Sequence, residues 1–399
     1  MKVIFYEDNL VSGLFPITLA RPAFDIRTGG YTLFEATRSI FTKATFYGKF
    51  RSEVKEVSGV LDFSSNADSS GPCLVLNARL APSLSCLKDI FEMIGRGTDE
   101  HTFLVKGEVV GVFSQNISEE QINNLSNLVL GEKHEIIGTL FSHPEDIIFF
   151  NRENLATNLQ ISTKSMRSKK RGLYLGKNTE LPKECVVDTS KGNIVIGDNV
   201  SVASFSVLKG PLFIGDNSFV KEFSVLENST IGPVCKVGGE VEASVIDAYS
   251  NKQHTGSLGD SYIGRWVNIG GGTTVSNLKN TYSTIAVGGR DTFSQFLGTI
   301  VGDYAKIGSN TSIFPGKVVG VSSHVYSTVI EDVPSFSSYV RAGVFFELPV
   351  AMAEKIQKAM ATRRMINYTD KDTELFNKMF EQTQEERNNK KVSKAKLTF

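Results

Sequence analysis

From Ile196 onward, aliphatic residues return at every sixth position: Ile196, Val202, Leu208, Ile214, Val220 and Leu226. After a slip of one residue, Ile231, Val237 and Ala243 keep the interval. It comes back at Ile263, Ile269, Val301, Ile307, Ile313, Val319 and Val325. An interval of six suits neither the 3.6-residue turn of a helix nor the two-residue alternation of an ordinary strand. It suits a chain wound on three sides, each side a short strand with one aliphatic residue turned inward. Three sides make a coil of eighteen residues, and eighteen is the separation of the two IGDN segments that begin at Ile196 and Ile214. The glycine that often follows the aliphatic residue is expected to relax the backbone at a corner. A sandwich of alternating strands would not hold phase across so many positions, so this feature decides the architecture of the second half.

The pattern resembles the left-handed parallel β-helix of hexapeptide-repeat proteins. Two stretches break the beat, one from about Asp247 to Asp260 and one from about Leu278 to Gly298. Insertions leave a solenoid as loops on one face, often the binding face. His254 is therefore expected on a loop let out of the stack. An imidazole titrates near neutrality and takes a proton from an attacking amine or hydroxyl. A lone loop histidine is ordinarily just solvated, but Gly270, Gly271, Gly272, Asn268 and Asn277 follow within about one coil. Such a patch offers backbone N–H groups to a developing oxyanion and carboxamides to orient an acceptor.

The segment QHTGSLGDSYIGRWVNIGGGTTVSNL resembles the acetyltransferase core of the bifunctional enzymes that make UDP-N-acetylglucosamine. The resemblance is closer still to a shorter variant group of sugar-1-phosphate uridylyltransferase/acetyltransferases, on the SNK-H, SYIG-W-N and SNLKN-Y elements, and it covers most of the chain. It implies that His254 is the general base that deprotonates the sugar amine for attack on acetyl-CoA. It implies that Asn268 and Asn277 orient the acceptor, that the Gly271 and Gly272 amides face the thioester oxygen, and that Ser309 lies near coenzyme A. The family's tyrosines are replaced by Ser257 and Leu278. Of its two basic positions for the sugar phosphate, near Ser244 and Lys236, only Lys236 is basic, with Lys279 as a substitute from the loop. Relatives with this fold are homotrimers, which implies a homotrimer here.

Residues 1–165 mix strand-like runs (VIFYE, CLVLNA, TFLVK, VVGVF) with helical ones, the mark of an α/β layer. The segment SGLFPITLARPAFDIRTGG resembles the second half of the loop pattern of sugar-phosphate nucleotidylyltransferases, on Gly13, Pro16, Thr18, Arg21, Pro22 and Arg27. In that family, backbone N–H groups and basic side chains hold a nucleoside triphosphate. Gly13, Arg21 and Arg27 are thus nucleotide-binding candidates, Asn77 and Arg79 of an NxR element are substrate-binding candidates, and Asp8 is the candidate Mg²⁺ ligand. EDNLVSG has one glycine where the family carries several. The alternative is that Arg21 and Arg27 pair with acids such as Asp25 or Glu35.

The formal net charge is zero, so nothing global argues for nucleic acid or an anionic membrane surface. The four cysteines are widely spaced without a CxxC pair, which fits a reducing, cytoplasmic setting. Thr163 to Gly172 reads as a basic linker. After Pro334, two amphipathic helices are expected, one with a stripe of Met352, Ile356, Ala359 and Met360 and one with Leu375, Phe376, Met379 and Phe380. They are expected to cap the open end of the solenoid, with a disordered tail behind them. The organisation predicted is an α/β nucleotidyltransferase-like domain over 1–165, a left-handed parallel β-helix over 166–340 and a helical cap over 341–399. The function predicted joins a sugar 1-phosphate to a nucleoside triphosphate with Mg²⁺ and acetylates an amino sugar from acetyl-CoA. The alternatives are acetyl transfer alone beside a degenerate sugar-nucleotide-binding domain, and a non-catalytic sensor or scaffold.

Overall fold

The computed structural model describes residues 1–63, 70–95, 100–164, 166 and 168–397. Ser165 and Arg167 of the expected linker lie outside them. The chain divides into two compact units, Met1–Asp146 and Ile147–Phe399. The parting falls earlier than the sequence suggests because the helix Asp146–Ser162 is tied to the coils that follow it. Thr230 Oγ1 donates to Asn151 Oδ1 at 2.6 Å, and Arg152 reaches Asp260 at 3.3 Å.

The first unit is built on a mixed sheet. Its strand order is Leu61–Asp62, Thr45–Lys49, Lys2–Tyr6, Ser70–Asn77, Glu108–Asn116, His101–Val105, Glu132–Glu135. The strand Lys2–Tyr6 runs parallel to both of its neighbours, so Tyr6 and Asn77 end side by side. Helices Leu33–Ile40 and Leu84–Ile94 start at Thr32 and Ser83, whose hydroxyls accept the N–H groups of Glu35 and Cys86.

In the second unit, the six-residue beat is the inner surface of a three-sided parallel β-helix. Ile196, Ile214, Ile231, Ile246, Ile263, Val301 and Val319 pair in turn down the first face. Val202, Val220, Val237, Lys252, Ile269, Ile307 and Val325 hold the inward position down the second face, and Val187, Leu208, Leu226, Val241, Leu258, Val275 and Ile313 down the third. These residues form one buried cluster, with Val187 partly buried against it and Lys252 also buried. The IGDN segments have a local cause. Asp216 Oδ1 accepts the Asp198 N–H of the coil below at 2.8 Å, and Asn199 and Asn217 take the left-handed corner conformation at φ 55° and 57°. The corner thus belongs to the asparagine. The glycine serves close approach, since a Cβ at Gly215 would lie 2.6 Å from Pro233 N in the next coil.

The first expected interruption is not a loop. The beat continues through Asp247–Asp260 as Ile246, Lys252 and Leu258, because the strands Asn251–Lys252 and Ser257–Gly259 stay in the stack. A lysine in an inward slot hides the repeat from a hydrophobicity reading. Ala243 is not an inward residue either: the coil is shortened, Val241 takes the slot, and Ala243 sits at a corner with φ 47°. The second interruption is real, and it carries a small hairpin, Ala286–Val287 with Arg290–Asp291.

The C-terminal segment only partly caps the stack. The hairpin Ser337–Arg341/Val344–Glu347 extends the second face, and Arg387 is buried against it, its guanidinium 3.9 Å over the Phe380 ring. The helix Val350–Arg363 instead lies along the second face, where Ala353, Ile356 and Gln357 close over Lys306 and His324. Its buried stripe is Ala353, Gln357 and Ala361, while Met352 stays exposed, because the helix meets a polar column rather than an apolar end. In the next helix, Asp370–Gln382, Leu375, Phe376 and Met379 are buried as expected. The segment expected to be disordered is held as far as Ser393, whose N–H donates to Phe345 O at 2.9 Å; Thr398 and Phe399 lie outside the described residues.

Candidate functional site

His254 stands at the corner between the second and third faces, exposed, and its imidazole has no hydrogen-bond partner among the described residues. The corner is fixed from inside. Lys252 turns its ammonium group into the prism and donates to the carbonyl oxygens of Gly238, His254 and Gly256 at 2.9, 3.1 and 2.8 Å. Burial lowers the Lys252 pKa to about 8, with Glu240 acting in the opposite direction. Below His254 lies Gly271, where a Cβ would meet the His254 Cβ at 3.3 Å and Cγ at 3.5 Å, so a side chain there would displace the ring. The Gly272 N–H donates to Thr255 O at 3.0 Å and is spent in the stack, whereas the Gly271 N–H makes no hydrogen bond among the described residues. Ser309 lies one coil further on, its N 2.5 Å from where a Gly270 Cβ would be. His254, Gly271, Gly272 and Ser309 therefore share one edge of the prism.

The outward positions of the second face run beside that edge. Lys236, Asn251, Asn268, Lys306 and His324 form one column by strand register, as their strand partners point inward. Asn251 Nδ2 donates to Asn268 Oδ1 at 3.3 Å. Lys306 is lowered to about 7 by burial, and His324 to about 4 by burial and the neighbouring Lys306 charge. Sequence reading missed Asn251, Lys252, Lys306 and His324; the register of the column is the signal that reveals them.

Asn277 and Lys279 are elsewhere. Asn277 sits at the corner between the third and first faces, donating to Asp260 Oδ2 at 2.7 Å. Burial raises the Asp260 carboxyl against the pull of Asn277 and Arg152. Lys279 donates to Thr284 O at 2.6 Å inside the second insertion, beside a recess of about 480 Å³ lined by Ser276, Leu278, Asn280, Phe314 and Pro315. Within one chain, the third face separates these two residues from His254.

In the first unit, Asp8 follows Tyr6 at the strand end and is enclosed. Arg79 donates to it twice, Nε to Oδ1 at 2.8 Å and Nη2 to Oδ2 at 2.7 Å. Asn77 Nδ2 adds a bond to Oδ2 at 2.7 Å and the Leu10 N–H one to Oδ1 at 3.1 Å. Burial alone would raise the Asp8 pKa, but these donors outweigh it and hold it below the usual range. The four acceptor positions of a carboxylate are then filled, so Asp8 does not fit a Mg²⁺ ligand in this arrangement. Arg27 donates to Glu35 Oε2 at 2.8 Å and Gly30 O at 3.0 Å, and Arg21 is buried. Gly13 answers a steric need, as a Cβ there would lie 2.6 Å from Ser142 O. A recess of about 370 Å³ opens beside this network, lined by Tyr6, Glu7, Asp8, Asn9, Lys49 and Arg51. Arg51 is paired with Glu7 at 2.9 Å.

Residues 3–167 match the family model described as sugar nucleotidyl transferase. Among curated proteins, the chain is 27% identical over 252 residues to the "Bifunctional protein GlmU" of Clostridioides difficile (strain 630), covering 57% of this chain and 49% of that one. It is 30% identical over 167 residues to the protein of that name from Synechococcus elongatus, covering 40% and 34%. The chain thus spans about half or less of the length of these relatives. Among solved structures, it is similar to a UDP-N-acetylglucosamine acyltransferase of Francisella novicida, at 17% identity and a TM-score of 0.23 over 58% of this chain and 98% of that one. No helix among the described residues is long and apolar enough to cross a membrane. The strand register carries the β-helix by itself, and residues 3–167 are similar to the sugar nucleotidyl transferase family.

Proposed function

We propose that the β-helix transfers an acetyl group from acetyl-CoA to an amino sugar, and that the first unit joins a sugar 1-phosphate to a nucleoside triphosphate. The observation that carries the first half is an exposed imidazole at His254, without a partner among the described residues and seated over Gly271 on an edge shared with Ser309. In the transfer, the acceptor nitrogen attacks the thioester carbonyl carbon. A C–N bond forms, His254 takes the amine proton, the C–S bond breaks, and the imidazolium returns that proton to the departing sulfur, so that coenzyme A leaves as the thiol. The Gly271 N–H faces the developing oxyanion. Asn277 and the Lys279 insertion lie across the third face from His254, so a homotrimer in which a neighbouring copy brings them to this edge completes the site.

A second reading holds for the first unit. The closed Asp8–Arg79–Asn77 network and the Arg27–Glu35 pair favour a unit that binds a sugar nucleotide without processing it. With Asp8 enclosed, no chemical step is assigned to Mg²⁺. Two assays decide. Acetyl-CoA with glucosamine 1-phosphate is expected to release free thiol, and the absence of thiol with every amino sugar tried overturns the first half. Pyrophosphate release with UTP or dTTP and a sugar 1-phosphate supports nucleotidyl transfer, and its absence leaves the binding reading.

A further inference from the structure

We propose that Arg364, Lys236 and the Asn251–Asn268 carboxamide pair form an anion site on the second face, and that it holds the phosphate of a phosphorylated amino-sugar acceptor. The proposal rests on the acetyl-transfer reading for the identity of the acceptor and on geometry for the site itself. Lys236, Asn251 and Asn268 are successive members of one outward column. Arg364 comes from far along the chain. It follows the helix Val350–Arg363, and the left-handed Met365, at φ 56°, turns the chain away directly after it. From there Arg364 Nη2 donates to Asn251 Oδ1 at 2.7 Å.

That one bond sets the direction of all the others. A guanidinium only donates, so Asn251 must turn its oxygen to Arg364 and its nitrogen to Asn268. Asn268 then accepts with its oxygen at 3.3 Å, and its Nδ2 makes no hydrogen bond among the described residues. The remaining groups of the cluster are all donors: the rest of the Arg364 guanidinium, the Asn268 amide nitrogen and the Lys236 ammonium. Among the described residues, neither Arg364 nor Lys236 has a carboxylate partner. Two cations and an amide donor with no acid among them match a phosphate, which accepts several charge-assisted bonds and suits the fork of an arginine.

The placement also suits the chemistry. Asn251 and His254 lie three residues apart in one coil, about 10 Å at most for extended backbone. An acceptor anchored by its phosphate on the column would reach the imidazole with the other end of its ring. The second basic residue that the sequence lacks near Ser244 is thus supplied by the C-terminal segment.

The test uses the full chain and two acceptors, glucosamine 1-phosphate and glucosamine. Arg364→Ala is expected to raise KM for glucosamine 1-phosphate about 10- to 100-fold, the usual worth of a bond to a charged group. The preference for the phosphorylated amine, as a ratio of kcat/KM, should fall by the same factor. Arg364→Gln keeps a donor for Asn251 and removes the charge, so it separates loss of charge from loss of the docked segment. It should show the same fall with an unchanged melting temperature. Wild-type KM in both variants overturns the proposal and leaves acetyl transfer standing. Calorimetric binding of glucosamine 1-phosphate without acetyl-CoA gives the converse separation. If the wild type binds it, Arg364→Gln weakens binding and no thiol is ever released, the anion site stands and the acetyl-transfer reading falls. Equal binding by wild type and Arg364→Gln also overturns the site.

Discussion

The arginines of the first unit and the basic residues of the second face make opposite use of the same charge. Arg79, Arg27 and Arg51 are each committed to a carboxylate, in Asp8, Glu35 and Glu7, and Arg79 is 1% exposed. Among the described residues Lys236 and Arg364 have no acid partner, and a chain of amide hydrogen bonds leaves the cluster with donors to spare. In sequence, the first group looks more like a phosphate site, because Arg27 and Arg79 lie in segments that resemble nucleotidylyltransferase motifs. In space, these arginines are spent on carboxylates, whereas Lys236 and Arg364, more than a hundred positions apart, have no acid partner among the described residues. A basic residue signals a ligand when the fold leaves it without a counter-charge.

The sharpest way to break this comparison is at the edge where the second face ends. His254→Ala should lower kcat for thiol release by about two to four orders of magnitude, the worth of a general base. An unchanged rate would leave the second face as a binding surface only. On the other side, Asp8→Ala should cost the first unit about 3–5 kcal/mol, because it strands Arg79 without a counter-charge. A urea transition of the full chain followed by an N-terminal probe would measure it. A variant as stable as wild type, but with altered nucleotide turnover, would return Asp8 to the metal.

Lys252 tests how the His254 corner is built. Its pKa falls from 10.5 to about 8 on folding, so between pH 8 and 10.5 the unfolded chain binds more protons than the folded one. Stability contributed by this group therefore rises with pH across that window and is lost as pH falls back to 8. At 1.36 kcal/mol per pH unit the full span is on the order of 3 kcal/mol. Lys252→Met should remove the rise, which denaturant midpoints at pH 8 and 10 would show. An identical rise in the variant would mean that Lys252 does not carry its proton into the prism.

Lys252 also shows how far the sequence was legible. The beat of Ile196 to Val325 announced the solenoid because an inward slot between three sheets admits little but aliphatic side chains. The same rule hid the coil of His254, since a lysine in that slot reads as a break. What makes it tolerable is three carbonyl oxygens brought together by the corner, and composition does not show these. The motif around His254 was legible because one edge of the prism collects residues about one coil apart. Arg364 was not, because its partner Asn251 is 113 positions away and only the path of the C-terminal helix joins them. The stripe of that helix was misread for a related reason: it packs on Lys306 and His324, so its buried face is small and polar.

The smallest expected effect belongs to Glu35, and it bears on whether Arg27 is structural. Glu35 does two jobs: it completes the capping box with Thr32 and it pairs with Arg27. Glutamine serves the capping box as well as glutamate does. Glu35→Gln therefore removes the ion pair and spares the helix start. The Glu35 side chain is 34% exposed, and Arg27 keeps its bond to Gly30 O, so the loss should be about 1–2 kcal/mol. If Arg27 serves the fold, the variant shows that loss at the urea midpoint and binds UTP as wild type does. If Arg27 serves a nucleotide, releasing it from Glu35 leaves the midpoint in place and tightens UTP binding in a calorimetric titration. In that case the first unit and the second face would use charge alike.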